Sequence, residues 1–340
     1  MDLTGVDLMR LFVREFELCK VSPGEHVIVL SEPSSRTDYV AAAWGAAQQL
    51  GARVASIVAP SGSPIPEPVT HTGSGPGLQS VLDNHVVQDA LKGADMVIDL
   101  TREGFVHAPV QSEILSAGTR ILFVCDAPDV LARNMPSEAD TERVEAAAEL
   151  IKASRVMKVT SEAGTDLAVD LVDSHPGFQK GFVDRPGKWD HWPSTMVVCW
   201  PMSSSGTIVL TAGDILLPFK EYVQNDIVLD VVDGRIEGIS GGPDATRLQQ
   251  FFDDSDDPWA RSLSHMGWGL MRTANWFATA MYSKHEIMGM DARAFAGNFL
   301  WSTGPHPFLG HDSFAHLDIA MRGCSILVDD TAVTKDGKLV

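Results

Sequence analysis

The chain has little of what secreted, membrane-spanning or nucleic-acid-binding proteins rely on. Its four cysteines, Cys19, Cys125, Cys199 and Cys324, are far apart and form no CxxC pair. That argues against a zinc ribbon and against a disulfide framework, and without an export signal it indicates reduced core thiols. No apolar run is long enough to span a bilayer. The opening segment MDLTGVDLMRLFVREFELCK lacks a basic stretch followed by an apolar core. It reads as an amphipathic helix with Leu8, Leu11, Phe12 and Phe16 on one face. These absences predict a soluble, cytoplasmic protein with no membrane partner. Basic residues are also in the minority, 26 against 45 acidic, for a net charge of −19. Such a surface repels phosphate, so nucleic acid is not an expected partner. Part of the acid is local: FFDDSDDPW (251–259) reads as a solvated loop, and it lacks the glycine and closing glutamate of a calcium-binding EF-hand.

Several catalytic signatures are missing as well. No GxxxxGK[ST] phosphate loop occurs, and neither SEAG nor ISGG is one. GSGPG (73–77) lacks the GxGxxG spacing and does not directly follow a strand, so a dinucleotide loop is not expected there.

What is present is a two-part pattern over 340 residues, a length that suits two domains better than one core. The first part alternates short apolar strands with helices. HVIVL (26–30), ARVASIV (52–58), DMVIDL (95–100) and RILFVC (120–125) are the strands. Helices are predicted over 37–51, with Thr37 as cap and Gly51 as stop, over 80–94, and from Ser137 to Ala153. Buried strands between helices predict a doubly wound parallel sheet covered on both faces. A Pro/Gly/Ser-rich loop is expected over 59–77. The second part is β-rich: paired strands in 155–171, strands in 207–219 and 226–242 with a DG hairpin turn at 233–234, and a helix opening at PDATRLQQFF. GWGLMRTANWFATAMY (267–282) reads as a further helix. The boundary is placed near 155, giving domains 1–154 and 155–340. Seven of the eight tryptophans lie between 189 and 301, a clustering usual for core or interface that also suits a flat ring ligand.

The residues that carry chemistry are near the end. Read as a strand, AHLDIAM puts His316, Asp318 and Ala320 on one face and Leu317, Ile319 and Met321 on the other. A helix would turn His316 and Asp318 to nearly opposite sides. An H-x-D pair on a strand can supply two metal ligands, although two residues alone are a weak pattern. His265, His306 and His311 lie in the same third of the chain. Taken singly, each is more commonly a hydrogen-bonded core or loop residue than a ligand. Together they offer nitrogens to accompany one embedded carboxylate. Two histidines and one carboxylate on one face of a metal leave open positions, as in non-haem Fe(II) oxygenases; zinc uses similar ligands in tetrahedral geometry.

GTDLAVDL (164–171), TAGDILLPF (211–219), DIVLDVVDGRIEGISGG (226–242), LSHMGWGL and the closing HLDIAM…CSILVDD resemble, in order, the aminopeptidase T type of metallo-aminopeptidase. The resemblance implies an N-terminal α/β domain and a C-terminal α+β metal-binding domain of that type. Those peptidases bind two metals through glutamates, a tyrosine, histidines and a terminal H-x-D pair. Here His265 stands where the family has a glutamate, RPGKWDHWPS (185–194) replaces another ligand segment, and no tyrosine follows Tyr282. The altered set resembles the 2,5-dihydroxypyridine 5,6-dioxygenase family, with GKWDHWPS and GFVH adding to the likeness. That resemblance implies one Fe(II) held by His265, His316 and Asp318, and O₂ insertion into 2,5-dihydroxypyridine to give N-formylmaleamate. It further implies His107 as acid/base, with Val106, His191 and Ser302 contacting the substrate, and a homo-oligomeric assembly such as a hexamer. His107 lies just past DMVIDL, at the edge where open α/β sheets bind ligands, so the site is expected between the domains.

Overall fold

The computed structural model describes residues 4–60, 81, 84–102, 104–106, 109–217, 219–284, 286–313 and 315–340. The expected loop over 59–77 falls almost entirely outside them.

Short β-branched runs build the first sheet. Its order is Arg53–Val58, His26–Ser31, Met96–Asp99, Arg120–Val124 and Trp189–Trp192, and all neighbours run parallel. Helices cover both faces. On one side Leu8, Phe12 and Phe16 of Gly5–Leu18 and the alanines of Thr37–Gln49 pack on Val27, Val29 and Ile98. On the other, Leu91 and Ile114 pack on Ile28, Leu30 and Ile121. The fifth strand comes from beyond residue 155, so the chain returns to its first sheet before completing the second part. Helix Glu138–Ala153 starts at a capping box between Ser137 and Asp140, which satisfies N–H groups that have no intrahelical partner. Helix Thr37–Gln49 is entered from Arg36 without a side-chain cap; Thr37 is its first residue rather than its cap.

The second part is two antiparallel sheets of eight and seven strands among the described residues. They face each other across one apolar core. Met157, Val159, Leu167 and Leu229 come from the first, and Val197, Met266, Trp268, Phe299, Leu317 and Ile319 from the second. The hairpin at Asp233–Gly234 has positive φ at both residues, 47° and 74°, as a two-residue turn of this hand requires.

Two further expectations are corrected. Residues 267–282 are not a helix. Leu263–Gly269 is a central strand paired with Met196–Trp200 and Phe299–Thr303, followed by turns and a short 3₁₀ segment at Ala278–Met281. Close packing decides this: a Cβ on Gly267 would collide with the Val197 carbonyl oxygen, so glycine is what lets the strands pair there. The acidic run is not all loop either, because helix Pro243–Asp254 continues through Phe251 and Phe252, both buried.

A candidate metal centre facing a cavity

Leu317–Met321 is a strand with every residue buried, and its alternation does what the sequence predicts. Leu317, Ile319 and Met321 enter the sandwich core. Ala320 points the other way, into an apolar cluster with Phe123, Met196, Val198 and Leu300. His316 and Asp318 share that outward face, which meets the edge of the first sheet. Their partner His265 lies on Leu263–Gly269, where the register with the neighbouring strand slips between Leu263 and Met266. A bulge of this kind re-aims a side chain, and here it accompanies an imidazole aimed at Asp318.

The three ligand atoms of His265, His316 and Asp318 all lie within 4.8 Å of one another. Asp318 Oδ1 is 3.2 Å from His265 Nε2 and 3.4 Å from His316 Nε2. The His316 Nδ1–H donates to the Thr303 carbonyl oxygen at 2.9 Å, because a carbonyl only accepts. That leaves Nε2 as the ring nitrogen facing the carboxylate. Asp318 Oδ1 is itself buried without a hydrogen-bond partner. An unpaired carboxylate oxygen in a buried pocket costs free energy unless a cation joins it. The donor set of two imidazoles and one carboxylate fits a single divalent metal with positions left open.

The other carboxylate oxygen is held. Arg293 Nε donates to Asp318 Oδ2 at 3.0 Å, Arg293 Nη1 donates to the Met288 carbonyl, and the residue is buried. Burial opposes ionisation of Asp318. The imidazole of His316 and the guanidinium of Arg293 outweigh it and hold the carboxyl well below the usual range. Burial lowers His265, with Asp318 acting against that shift.

Above the centre lies a cavity of about 230 Å³, lined from the first sheet by Gly104, Phe105, Val106, Phe123, Trp189 and His191 and from the second part by Gln179, Met196, Val198, Trp200, Met288, Leu300 and the three candidate ligands. Val106 therefore sits at the wall where it is expected. His107 lies outside the described residues. His191, on Trp189–Trp192, is 3% exposed with its ring 4.7 Å from that of Phe123. Burial, then the charge of Arg293, lowers it to about 3, so it is neutral at working pH. Ser302 is fully buried and opposite Asp318 in register; its hydroxyl accepts the His265 backbone N–H at 3.1 Å. It is not among the residues lining the cavity. His306 is a loop strut, donating from Nε2 to the Pro201 carbonyl at 2.9 Å, and His311 stacks on Trp259 at 3.8 Å. Arg293 escaped sequence reading. A lone arginine among small and apolar residues in MDARAFAG is the signal that could have found it, since such a cation is buried only against an anion.

A cradle for one divalent metal at the joint between a parallel sheet and a β-sandwich defines a metal-dependent enzyme on an aminopeptidase T-like scaffold. Residues 7–340 match the family model of 2,5-dihydroxypyridine 5,6-dioxygenase, and the chain belongs to that family of ring-cleaving dioxygenases. A 2,5-dihydroxypyridine 5,6-dioxygenase of Pseudomonas putida strain KT2440 is 39% identical over 344 residues, covering all of this chain and 98% of that one. A solved structure of 2,5-dihydroxypyridine dioxygenase from the same strain is similar with a TM-score of 0.93 at 38% identity, again over all of this chain and 98% of that one. Wild-type AmpT from Thermus thermophilus is similar with a TM-score of 0.67 over 98% of both chains; at 15% identity that likeness is one of fold. Among the described residues, no helix is long and apolar enough to cross a membrane.

Proposed function

We propose that the chain cleaves 2,5-dihydroxypyridine between C5 and C6 with O₂, using Fe(II) held by His265, His316 and Asp318. The observation that carries this is the convergence of three donor atoms within 4.8 Å, one of them a buried carboxylate oxygen with no hydrogen-bond partner, beneath a cavity walled by aromatic rings. Ferrous iron with open positions supplies O₂ activation and electrostatic attraction for a ring oxyanion. In the balanced reaction the C5–C6 bond breaks, each carbon takes one oxygen atom, and N-formylmaleamate forms without an external reductant.

The chain's own residues do the rest. One carboxylate against a divalent ion leaves a net positive centre, and Arg293 adds a second positive charge beside it; both favour an anionic substrate. Phe105, Phe123, Trp189 and Trp200 line the cavity and suit a flat ring held between apolar walls. His191, neutral and buried, accepts or donates a hydrogen bond to a ring polar atom. His107, next along from Val106, exchanges the hydroxyl proton, a role worth on the order of 10²–10⁴ in rate. Ser302 acts through the His265 backbone. The cavity draws its walls from both sides of residue 155, in keeping with catalysis between domains 1–154 and 155–340. The same reading makes the enzyme a cytoplasmic homo-oligomer, for which exposed Phe277 and Met281 offer apolar surface.

An anaerobic mixture of protein, Fe(II) and 2,5-dihydroxypyridine, then opened to air, tests the proposal. Loss of the ring's near-ultraviolet absorbance on admission of O₂, with one O₂ consumed per ring, is expected. An unchanged spectrum contradicts it.

A further inference from the structure

Two buried polar atoms without hydrogen-bond partners face each other beside the cavity. His191 Nε2 lies 3.8 Å from Asp126 Oδ2, and both are sealed from solvent. Asp126 follows the buried strand Arg120–Val124 at the C-terminal edge of the first sheet. It is 1% exposed and fixed from two sides. Its backbone carbonyl accepts the Tyr39 hydroxyl at 2.6 Å, and its Oδ1 accepts the Gly289 N–H at 3.3 Å. The carboxylate therefore has one oxygen tied to the second part of the chain and one aimed at the imidazole.

We infer that Asp126 is a positioning residue that holds His191 as its Nε2–H tautomer, leaving Nδ1 to accept a hydrogen bond from the substrate. The inference rests on the dioxygenase reading of the cavity. With Nε2 sealed against Asp126, Nδ1 is the polar ring atom that His191 offers to the cavity it lines. A carboxylate behind an imidazole fixes which nitrogen carries the proton and so which one is left to accept. Closing the 3.8 Å separation to hydrogen-bond length needs a shift of roughly 1 Å, which ligand binding can supply. Burial, then the charge of Asp291, pushes Asp126 up to about 7 against the Gly289 N–H and the charges of Arg293 and Lys220, so the carboxylate that accepts from Nε2–H is the form present above that pH.

Asp126→Asn separates this role from a structural one. Gly289 N–H selects the amide oxygen, so the amide NH₂ faces His191 and forces Nε2 to accept. In the full-length, metal-free chain labelled with ¹⁵N-histidine, the His191 signal is assigned by its loss in His191→Gln. At about one pH unit or more above the Asp126 titration, the proton is expected on Nε2 in the wild type and on Nδ1 in Asp126→Asn. In the iron-loaded enzyme, kcat is expected to fall about 100-fold or more while KM moves only a few-fold. Asp126→Glu, which keeps the acceptor, retains the Nε2–H tautomer and recovers much of kcat. A wild-type proton on Nδ1, or an Asp126→Asn enzyme with unchanged tautomer and kcat, overturns the inference. Should Asp126→Asn not fold, the wild-type tautomer and Asp126→Glu decide it. Absence of turnover by the wild type would count against the dioxygenase reading, and the tautomer measurement would still test the dyad.

Discussion

Arg293 Nε sits 3.0 Å from Asp318 Oδ2 while Asp318 Oδ1 has no hydrogen-bond partner. The guanidinium thus occupies one oxygen of the carboxylate and leaves the other for a metal. It sets both the direction and the single-oxygen character of the ligand. Groups that orient a metal ligand in this way typically contribute 10–100-fold to metal affinity. Arg293→Gln is expected to weaken ferrous binding by that order, measured by anaerobic metal titration. Unaltered affinity would mean that Asp318 needs no help in facing the metal.

His191 gives a pH prediction. Burial lowers it to about 3, whereas an unfolded histidine titrates near about 6.5. Between those values the unfolded chain holds a proton that the native chain does not. Its stabilising contribution is therefore complete above about pH 6.5 and is lost as pH falls toward 3, at up to about 1.4 kcal/mol per pH unit. His191→Gln removes that loss. Melting temperatures taken from pH 7 to 4.5 should show the variant gaining steadily on the wild type as the solution becomes more acid. A constant difference across the range would mean that His191 is protonated as easily in the native state as in the unfolded one.

Gly267 tests the packing that seats His265. A Cβ there would overlap the Val197 carbonyl oxygen, which belongs to a paired neighbouring strand. Gly267→Ala is expected to cost at least about 2 kcal/mol, seen as a lowered midpoint in urea. Because the strand carries His265 two residues away, iron affinity should fall with it. A variant as stable as the wild type would show that the strands have room to part.

Much of this was legible in the sequence where a local period is enough. The strand alternation of AHLDIAM put His316 and Asp318 on one face, and the structure shows the reason for the apolar residues between and after them: Leu317, Ile319 and Met321 face the sandwich core. The helix start at Ser137 and the Asp233–Gly234 turn were equally local. Features set by distant partners were not legible. The bulge that accompanies the placing of His265 depends on pairing with Phe299–Thr303. Trp189–Trp192 joins the first sheet by pairing with Arg120–Val124, Ile121 standing opposite Trp189, a partner far outside any local window. Residues 267–282 look helical in isolation because their apolar positions serve a strand and then a series of turns. Asp126 carries no local sign beyond its place just after a buried strand.

One metal shared by three side chains is the centre of the proposed chemistry, and metal content measures that most directly. Each full-length variant is loaded with Fe(II) under anaerobic conditions, freed of unbound metal and analysed for iron per chain. About one iron is expected in the wild type and in His191→Gln, and close to none in His265→Ala, His316→Ala and Asp318→Ala, with each variant's circular dichroism matching the wild type. Iron retained at full occupancy in any of the three ligand variants, or two metals per wild-type chain, would contradict the account.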